Sequence, residues 1–357
     1  MLDREELQSA VDAGLLTPIQ ADALVAHYAR TDEASADREE VRFARGFHDV
    51  FISIGLFILF IGLNWTSATI VPLREGPSLV VFYGVMCVIT WLLAEWLTKR
   101  LRLALPSILL ALAFVSYVAL TFMATWNLRA GYGEEGTFLL MTSGNYELYL
   151  VGGIAALAAA TAFYSRFRVP ISLAWIVAGI LITVLSIAET IRPGLVSLNL
   201  SLFTMLAGVA CFASAMWYDS RDLKRITLNT DKAFWLHMLA APLIVHSAIS
   251  FLPASSLDND GALPVIGIVF ALSLVAIIVD RRALLVSALG YTGIALYTLL
   301  RLTNLSNQGI VAASLLILGL FVLTLGSGWT SVRRLVLAPF SGSWLFDYVP
   351  PIRTHEK

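Results

Sequence analysis

Long apolar runs alternate with short charged breaks along almost the whole chain, and that alternation decides the solvent in which it folds. A hydrocarbon core about 30 Å thick needs about 20 apolar residues of helix to cross it. Ten such runs occur, at 49–65, 78–97, 104–126, 147–164, 170–189, 195–218, 234–252, 262–280, 283–301 and 308–329. Lipid offers no hydrogen bonds to the backbone, so each run is expected to be a helix. The fold class read from the pattern is therefore all-α, a polytopic membrane helix bundle of about ten transmembrane helices. Only Arg281 and Arg282 interrupt the stretch 262–301, yet that length cannot fit one crossing, so it is read as two spans and a tight turn.

Composition closes off other classes. The 357 residues are 58% hydrophobic and 14% charged, whereas a soluble domain is about a quarter charged. A soluble enzyme is excluded on that ground. The net charge of −1 leaves no basic excess for nucleic acid, and two cysteines cannot staple a secreted domain. Cys87 and Cys211 both fall within spans, where they read as small packing residues.

The few charges are placed with order. Of the 24 basic residues, 20 lie in the N-terminal segment, the C-terminal tail and alternate connections, and the other side holds only Arg74, Arg129, Arg192 and Arg301. The positive-inside rule then puts both termini in the cytoplasm. Trp65, Trp96, Trp126, Trp217, Trp235 and Trp329 lie near span ends, as interfacial indoles do. The polar first 48 residues contain no cleavable signal peptide.

Residues 1–30 read as a separate cytoplasmic helical hairpin. Gly14 sits at a helix C-cap, and Thr17-Pro18-Ile19-Gln20 supplies an N-cap, a first-turn proline and a capping-box glutamine. Its apolar residues Leu7, Val11, Leu16, Ile19 and Leu24 are too few for a core of their own, so the hairpin is expected to dock on a cytoplasmic protein, on another copy or on the bundle. Residues 31–48 form an acidic linker and a basic-aromatic juxtamembrane segment. Residues 330–357 form a cytoplasmic tail whose aromatic stretch 339–351, with Trp344, Phe346 and Tyr348, lies along the interface. The bilayer is thus the one obligatory partner.

The segment Gly14-Leu-Leu-Thr-Pro-Ile-Gln-Ala21, followed by Gly46-Phe-His-Asp-Val-Phe51 leading into a glycine-containing first span, resembles uncharacterised bacterial multi-pass membrane proteins with a short N-terminal cytoplasmic domain, a domain-of-unknown-function family. The resemblance covers about 60 N-terminal residues and implies a bacterial inner membrane. It brings no catalytic residues.

Ionisable groups inside spans are costly and mark sites by default. Most here have a local partner in sequence: Glu95 with Lys99, Asp49 with Arg45, Glu189 with Arg192, Asp219 beside Arg221 and Asp280 beside Arg281. His237, at the cytoplasmic edge beside Trp235, reads as a snorkelling residue. His246 lies nearer the middle of the seventh run, with Ser247 and Ser250 close by. Asn199 and Ser201 of the sixth run and Tyr297 of the ninth reach the same outer half. These residues define a candidate substrate pocket opening outward, with His246 and Asn199 at its base. The competing reading is a structural hydrogen bond from His246 to a neighbouring helix. In the fourth run Gly152, Ala156 and Ala160 form a small-residue seam for close helix approach, and Ala207, Cys211 and Ala215 repeat the spacing in the sixth.

No nucleotide loop, zinc motif or cysteine pair is present, so no cofactor, metal or catalytic residue is expected. Two functions remain in view. One is a carrier or flippase-like protein for a small solute or lipid, its ten spans dividing into two sets of five. The other is a non-transporting sensor or scaffold that recruits a partner through the N-terminal hairpin. A membrane-embedded enzyme finds no acid–base or metal constellation to support it.

Overall fold

The computed structural model describes residues 11–25, 47–69, 77–131, 145–252 except 224 and 226, 262–301, 303, 305–340, 343 and 348–350. All regular structure among them is helical. In chain order the long elements are α1 (Phe47–Thr69), α2 (Pro77–Ala94), α3 (Ala104–Ala130), α4 (Tyr146–Phe167), α5 (Ile171–Ile191), α6 (Leu200–Ser220), α7 (Leu228–Ser250), α8 (Ala262–Val279), α9 (Ala283–Leu300) and α10 (Asn307–Ser327), followed by the short α11 (Trp329–Leu337). Eight of these, all but α8, α9 and α11, are long and apolar enough to cross a membrane. The chain is a multi-pass helical membrane bundle. The stretch 262–301 is indeed two helices, α8 and α9, packed against each other.

Several boundaries move from their sequence positions. The sixth helix starts at Leu200 rather than 195, because residues 192–199 fold into turns held by the Glu189 carboxylate. The seventh starts at Leu228 rather than 234, since Thr227 supplies an N-cap by accepting from the Asn229 amide. Gly328 ends α10, and α11 continues as a separate helix that the sequence reading had merged into the tail. At the N-terminus, Gly14 has φ +70°, Thr17 Oγ1 accepts from Gln20 N at 3.3 Å, and Gln20 Oε1 accepts from Thr17 N at 3.0 Å. The capping box opens a helix at 18–25. Residues 1–10, with Leu7 and most of the first arm of the proposed hairpin, lie outside the described residues, as do Trp344 and Phe346.

The helices sort into two groups. In the first, α3 is the hub, touched by α1, α2, α4 and α5. Its core is apolar and aromatic: Leu97, Leu110, Phe163 and Ile171 are buried, and Trp91, Phe114 and Phe167 ring Phe163. The seam of the fourth helix holds as read, with Gly152, Ala156 and Ala160 all buried. Gly179 of α5 explains how closely these helices approach, since a Cβ there would stand 2.9 Å from the backbone of Leu157. In the second group α7 packs on α6, α8 and α9, while α10 leans on α9 and α11 covers the end of α8. The groups meet where Leu173 and Val177 of α5 face the Cys211, Ala215, Leu236 and Ala240 cluster, and where Trp235 caps the first core.

One end of the bundle gathers the basic connections. Four of the helix–helix turns there contain a non-glycine residue in the left-handed region: Arg102 (φ 53°), Arg168 (57°), Arg225 (56°) and Asp280 (60°). That conformation costs an L-residue roughly 1–2 kcal/mol. At the opposite end Gly131 and Gly194 fill the equivalent role. At Arg168, the C-cap of α4, arginine in place of glycine retains positive charge at a helix C-terminus, where the dipole favours it.

Candidate functional site

The densest polar structure lies at the basic end of the second group. The last turn of α6 presents Asp219, and its carboxylate reaches across to two other elements. Oδ2 accepts from His237 Nε2 of α7 at 2.9 Å and from Arg281 Nε at 3.1 Å, while Oδ1 accepts from Arg281 Nη2. Arg281 comes from the turn between α8 and α9 and is 1% exposed; His237 is fully buried against the Phe212 ring. The turn that delivers Arg281 closes with Asp280 N to Ile277 O and Arg281 N to Ala276 O, a Schellman arrangement with Asp280 in the left-handed position.

Asp280 is the second centre. Arg225 bonds its carboxylate at 3.0 Å and its carbonyl at 2.8 Å, and Trp329 Nε1 donates to Oδ1 at 2.6 Å. Arg333 of α11 lies 3.8 Å from the same carboxylate and donates to Ile277 O at 3.2 Å and to Pro350 O of the tail. Asp222 is the third centre: it accepts from Thr227 N, Thr227 Oγ1 and Thr230 Oγ1 at 2.8, 2.6 and 2.9 Å, which fixes the corner into α7.

Two carboxylates, Asp219 and Asp280, thus meet three guanidiniums, those of Arg225, Arg281 and Arg333, while Asp222 is held by threonine donors. Buried pairs of this kind are held by geometry, because desolvation offsets much of their attraction unless every group is hydrogen-bonded. Asp219 accepts three bonds from protein donors, which suits a structural hub better than a general base with an open face. The cluster fastens the ends of α6, α7, α8, α9 and α11 to one another. Among the described residues, no three of His, Cys, Asp and Glu converge to hold a metal ion.

These contacts correct the local pairings. Asp219 pairs with Arg281 rather than Arg221, whose guanidinium stacks on Trp217 at 3.6 Å. Asp280 pairs with Arg225 rather than its neighbour Arg281. Glu95 bonds Arg166 of α4 in a bidentate pair at 2.7 and 3.0 Å. Asp49 accepts from Ala104 N at 3.2 Å, capping α3 from α1. Glu189 takes the amides of Gly194, Val196 and Ser197 rather than Arg192. Asp219, Asp280 and Glu189 share one reason: their helix ends turn them towards other segments, and sequence neighbours diverge in direction. Lys99 still acts on Glu95 beside Arg166, and Arg45 lies outside the described residues. His237 does not snorkel; it is wholly enclosed.

The outward residues are placed as follows. His246 is exposed on α7, and its Nδ1 lies 2.8 Å from the Tyr291 hydroxyl of α9, so the helix-to-helix hydrogen bond is present. Its neighbour Ser247 meets Thr204 of α6 at 2.6 Å, which sets this level about one turn from the start of α6. Ser250 is exposed and donates to His246 O. Asn199 is exposed in the turn before α6 and donates to Leu195 O at 2.9 Å. Ser201 is half-buried in the first turn of α6, and Tyr297 carries the Arg301 guanidinium 5.4 Å above its ring. The recorded hydrogen bonds of His246 and Asn199 therefore point to different partners. Tyr291, Thr204 and the Asn64–Tyr117 pair of α1 and α3, at 2.7 Å, are polar contacts that sequence reading had not singled out. Scans against family models, curated proteins and solved structures return no match to this chain.

Proposed function

We propose that the chain is a carrier or flippase-like protein handling a small solute or lipid in a bacterial inner membrane, with ten crossings and both termini in the cytoplasm. One observation carries the reading. Every long-range polar tether described above, whether Asp49 to Ala104, Glu95 to Arg166, Asp219 to Arg281 or Asp280 to Arg225, stays inside one helix group. Among the described residues, apolar packing of Leu173 and Val177 with Leu236 and Ala240, and of Trp235 with the first core, joins the groups. Two internally fastened bodies joined along an apolar seam are free to rock, and rocking of one helix set against another is how many carriers alternate access. The basic end is the cytoplasmic one on this reading, from the segregation of arginine and lysine. The outward residues His246, Asn199, Ser201, Ser250 and Tyr297 remain the proposed substrate contacts.

The test is a pair of inter-group distances. With Cys87 and Cys211 replaced by alanine, spin labels at positions 165 and 228 report the basic end, and labels at 191 and 251 the other. Two populations that shift in opposite senses at the two ends are expected in lipid nanodiscs. A single narrow distance at both ends would end the carrier reading.

A second reading has its own support. Leu15 and Ile19, beside the N-terminal corner, are 79% and 81% exposed. Apolar side chains so presented suit a sensor or scaffold that recruits a protein partner through residues 1–30, or self-associates there. Removal of residues 1–40 abolishes function on that reading, while His246→Ala and Asn199→Ala leave it intact.

A further inference from the structure

The ionic cluster has an outer layer that is far less firmly built than its centre. Asp219 and Arg281 are held by several bonds among buried groups, and among the described residues the tail meets the cluster at the Arg333 guanidinium and through the buried Val349. Arg333 donates to Pro350 O, and the adjacent Val349 is 2% exposed. The same Arg333 donates to Ile277 O at the end of α8 and faces the Asp280 carboxylate. Behind it, Leu337 of α11 is fully buried, and Trp329 is bound to Asp280. One arginine therefore joins the tail, α11 and the α8–α9 turn.

We propose that residues 348–350 act as a strap over the basic end: seated on Arg333, they hold the α8–α9 turn closed, and unseated, they let that turn and the Asp219–Arg281 pair loosen together. The chain order of the contacts supports this. The strap lies at the far end of a linkage that runs from Pro350 through Arg333 and Asp280 to Arg225 and the corner before α7. Removing the outermost member deletes no ion-pair side chain but takes from Arg333 its acceptor on the tail, and Arg333 is the group that also touches Ile277 O and the Asp280 carboxylate. Tyr348 is 52% exposed, so the strap can be approached from outside. The inference rests on the two-body reading for what the strap controls, whereas its seat can be tested without reference to transport.

Hydrogen exchange on the full chain in nanodiscs is compared with a chain ending at residue 347 and with Val349→Asp in the full chain. Both changes are expected to raise exchange of the amides of Asp280, Arg281 and Leu284 about tenfold or more, because those amides close the turn. Amides of α3 and α4 in the first group stay at their original rates. Unchanged exchange at the turn in both variants would overturn the strap. A uniform rise across both groups would also overturn it, by showing general loosening rather than a local seat. Strap failure leaves the inter-group distances standing, and a single inter-group distance leaves the strap's exchange result standing, so the two ideas fail separately.

Discussion

The two helix groups reach similar compactness by different chemistry. The first is centred on one helix, α3, with an aromatic knot of Trp91, Phe114, Phe163 and Phe167 at its basic end; Phe163 and Phe167 approach to 4.6 Å between ring centroids. Its ion pair, Glu95 with Arg166, lies at the rim, with side chains 30% and 43% exposed. The second group gathers on α7, and its basic end is fastened by Asp219, Asp280, Arg225, Arg281 and Arg333, all largely withdrawn from solvent. Aromatic packing tolerates small slips because dispersion is non-directional. A bidentate guanidinium–carboxylate pair does not, since its geometry is matched in one arrangement. The basic end of the second group is thus held in one register by matched ion pairs, and that of the first by ring packing.

The sharpest way to break this contrast is to remove one partner from the second group. Arg281→Met leaves Asp219 buried beside His237 without its guanidinium, and the loss is expected to be about 3–5 kcal/mol. Reversible unfolding in mixed detergent micelles measures it. Asp219→Leu combined with Arg281→Met is expected to recover part of that loss, because the buried charge is gone, the remainder being the His237 Nε2 left without its acceptor. A double variant as unstable as the single one would show that the cluster acts through shape rather than charge. In the first group Phe163→Ala is expected to cost about 3 kcal/mol by opening a cavity among the rings. No charge substitution elsewhere restores it, and rescue by one would blur the distinction between the groups.

Smaller effects follow from backbone approach. Gly179→Ala forces a Cβ to 2.9 Å from the Leu157 main chain, which cannot yield as a flexible side chain would. A cost of about 1–3 kcal/mol is expected from overpacking. Gly62 of α1 has no heavy atom within 4 Å of its ideal Cβ, so Gly62→Ala is expected to be neutral or stabilising by up to about 1 kcal/mol. Thermal unfolding of the two variants side by side checks the pair. Equal losses would mean that α1 is packed more tightly than the α1–α3 contact alone requires.

How much of this was legible follows from what each level of structure depends on. Helix content and the charged connections are local properties, so apolar length and charge placement expose them, and the Gly152, Ala156, Ala160 seam is visible for the same reason. The capping box at Thr17 and Gln20 is local as well. The ionic cluster was not legible, because its partners lie 62 residues apart for Asp219 and Arg281 and 55 for Arg225 and Asp280. Sequence proximity instead suggested Arg221 for Asp219, a residue that turns away to stack on Trp217. One clue was available: Trp329, Arg333 and Leu337 recur every four residues, the period of a helix face, and all three are buried in α11. Asn199 was misplaced for the opposite reason. Apolar composition carried the sixth span back to 195, whereas Glu189 holds those residues in turns.

The least effect is expected at the pair that looks strongest on paper. Glu95 and Arg166 make two short bonds, at 2.7 and 3.0 Å, and span α2 and α4. Both side chains are substantially exposed, so water and salt compete with each for the other, and fixing two long side chains costs entropy. Glu95→Gln is therefore expected to leave the unfolding midpoint unchanged within error, and raising the salt concentration should not shift the parent protein's midpoint through this pair. The aromatic knot beneath holds α2 and α4 without it, since Trp91 contacts both Phe163 and Phe167 directly. A loss at Glu95 approaching that of Arg281→Met would mean that the first group, too, is closed by charge. The two groups would then be fastened by the same chemistry.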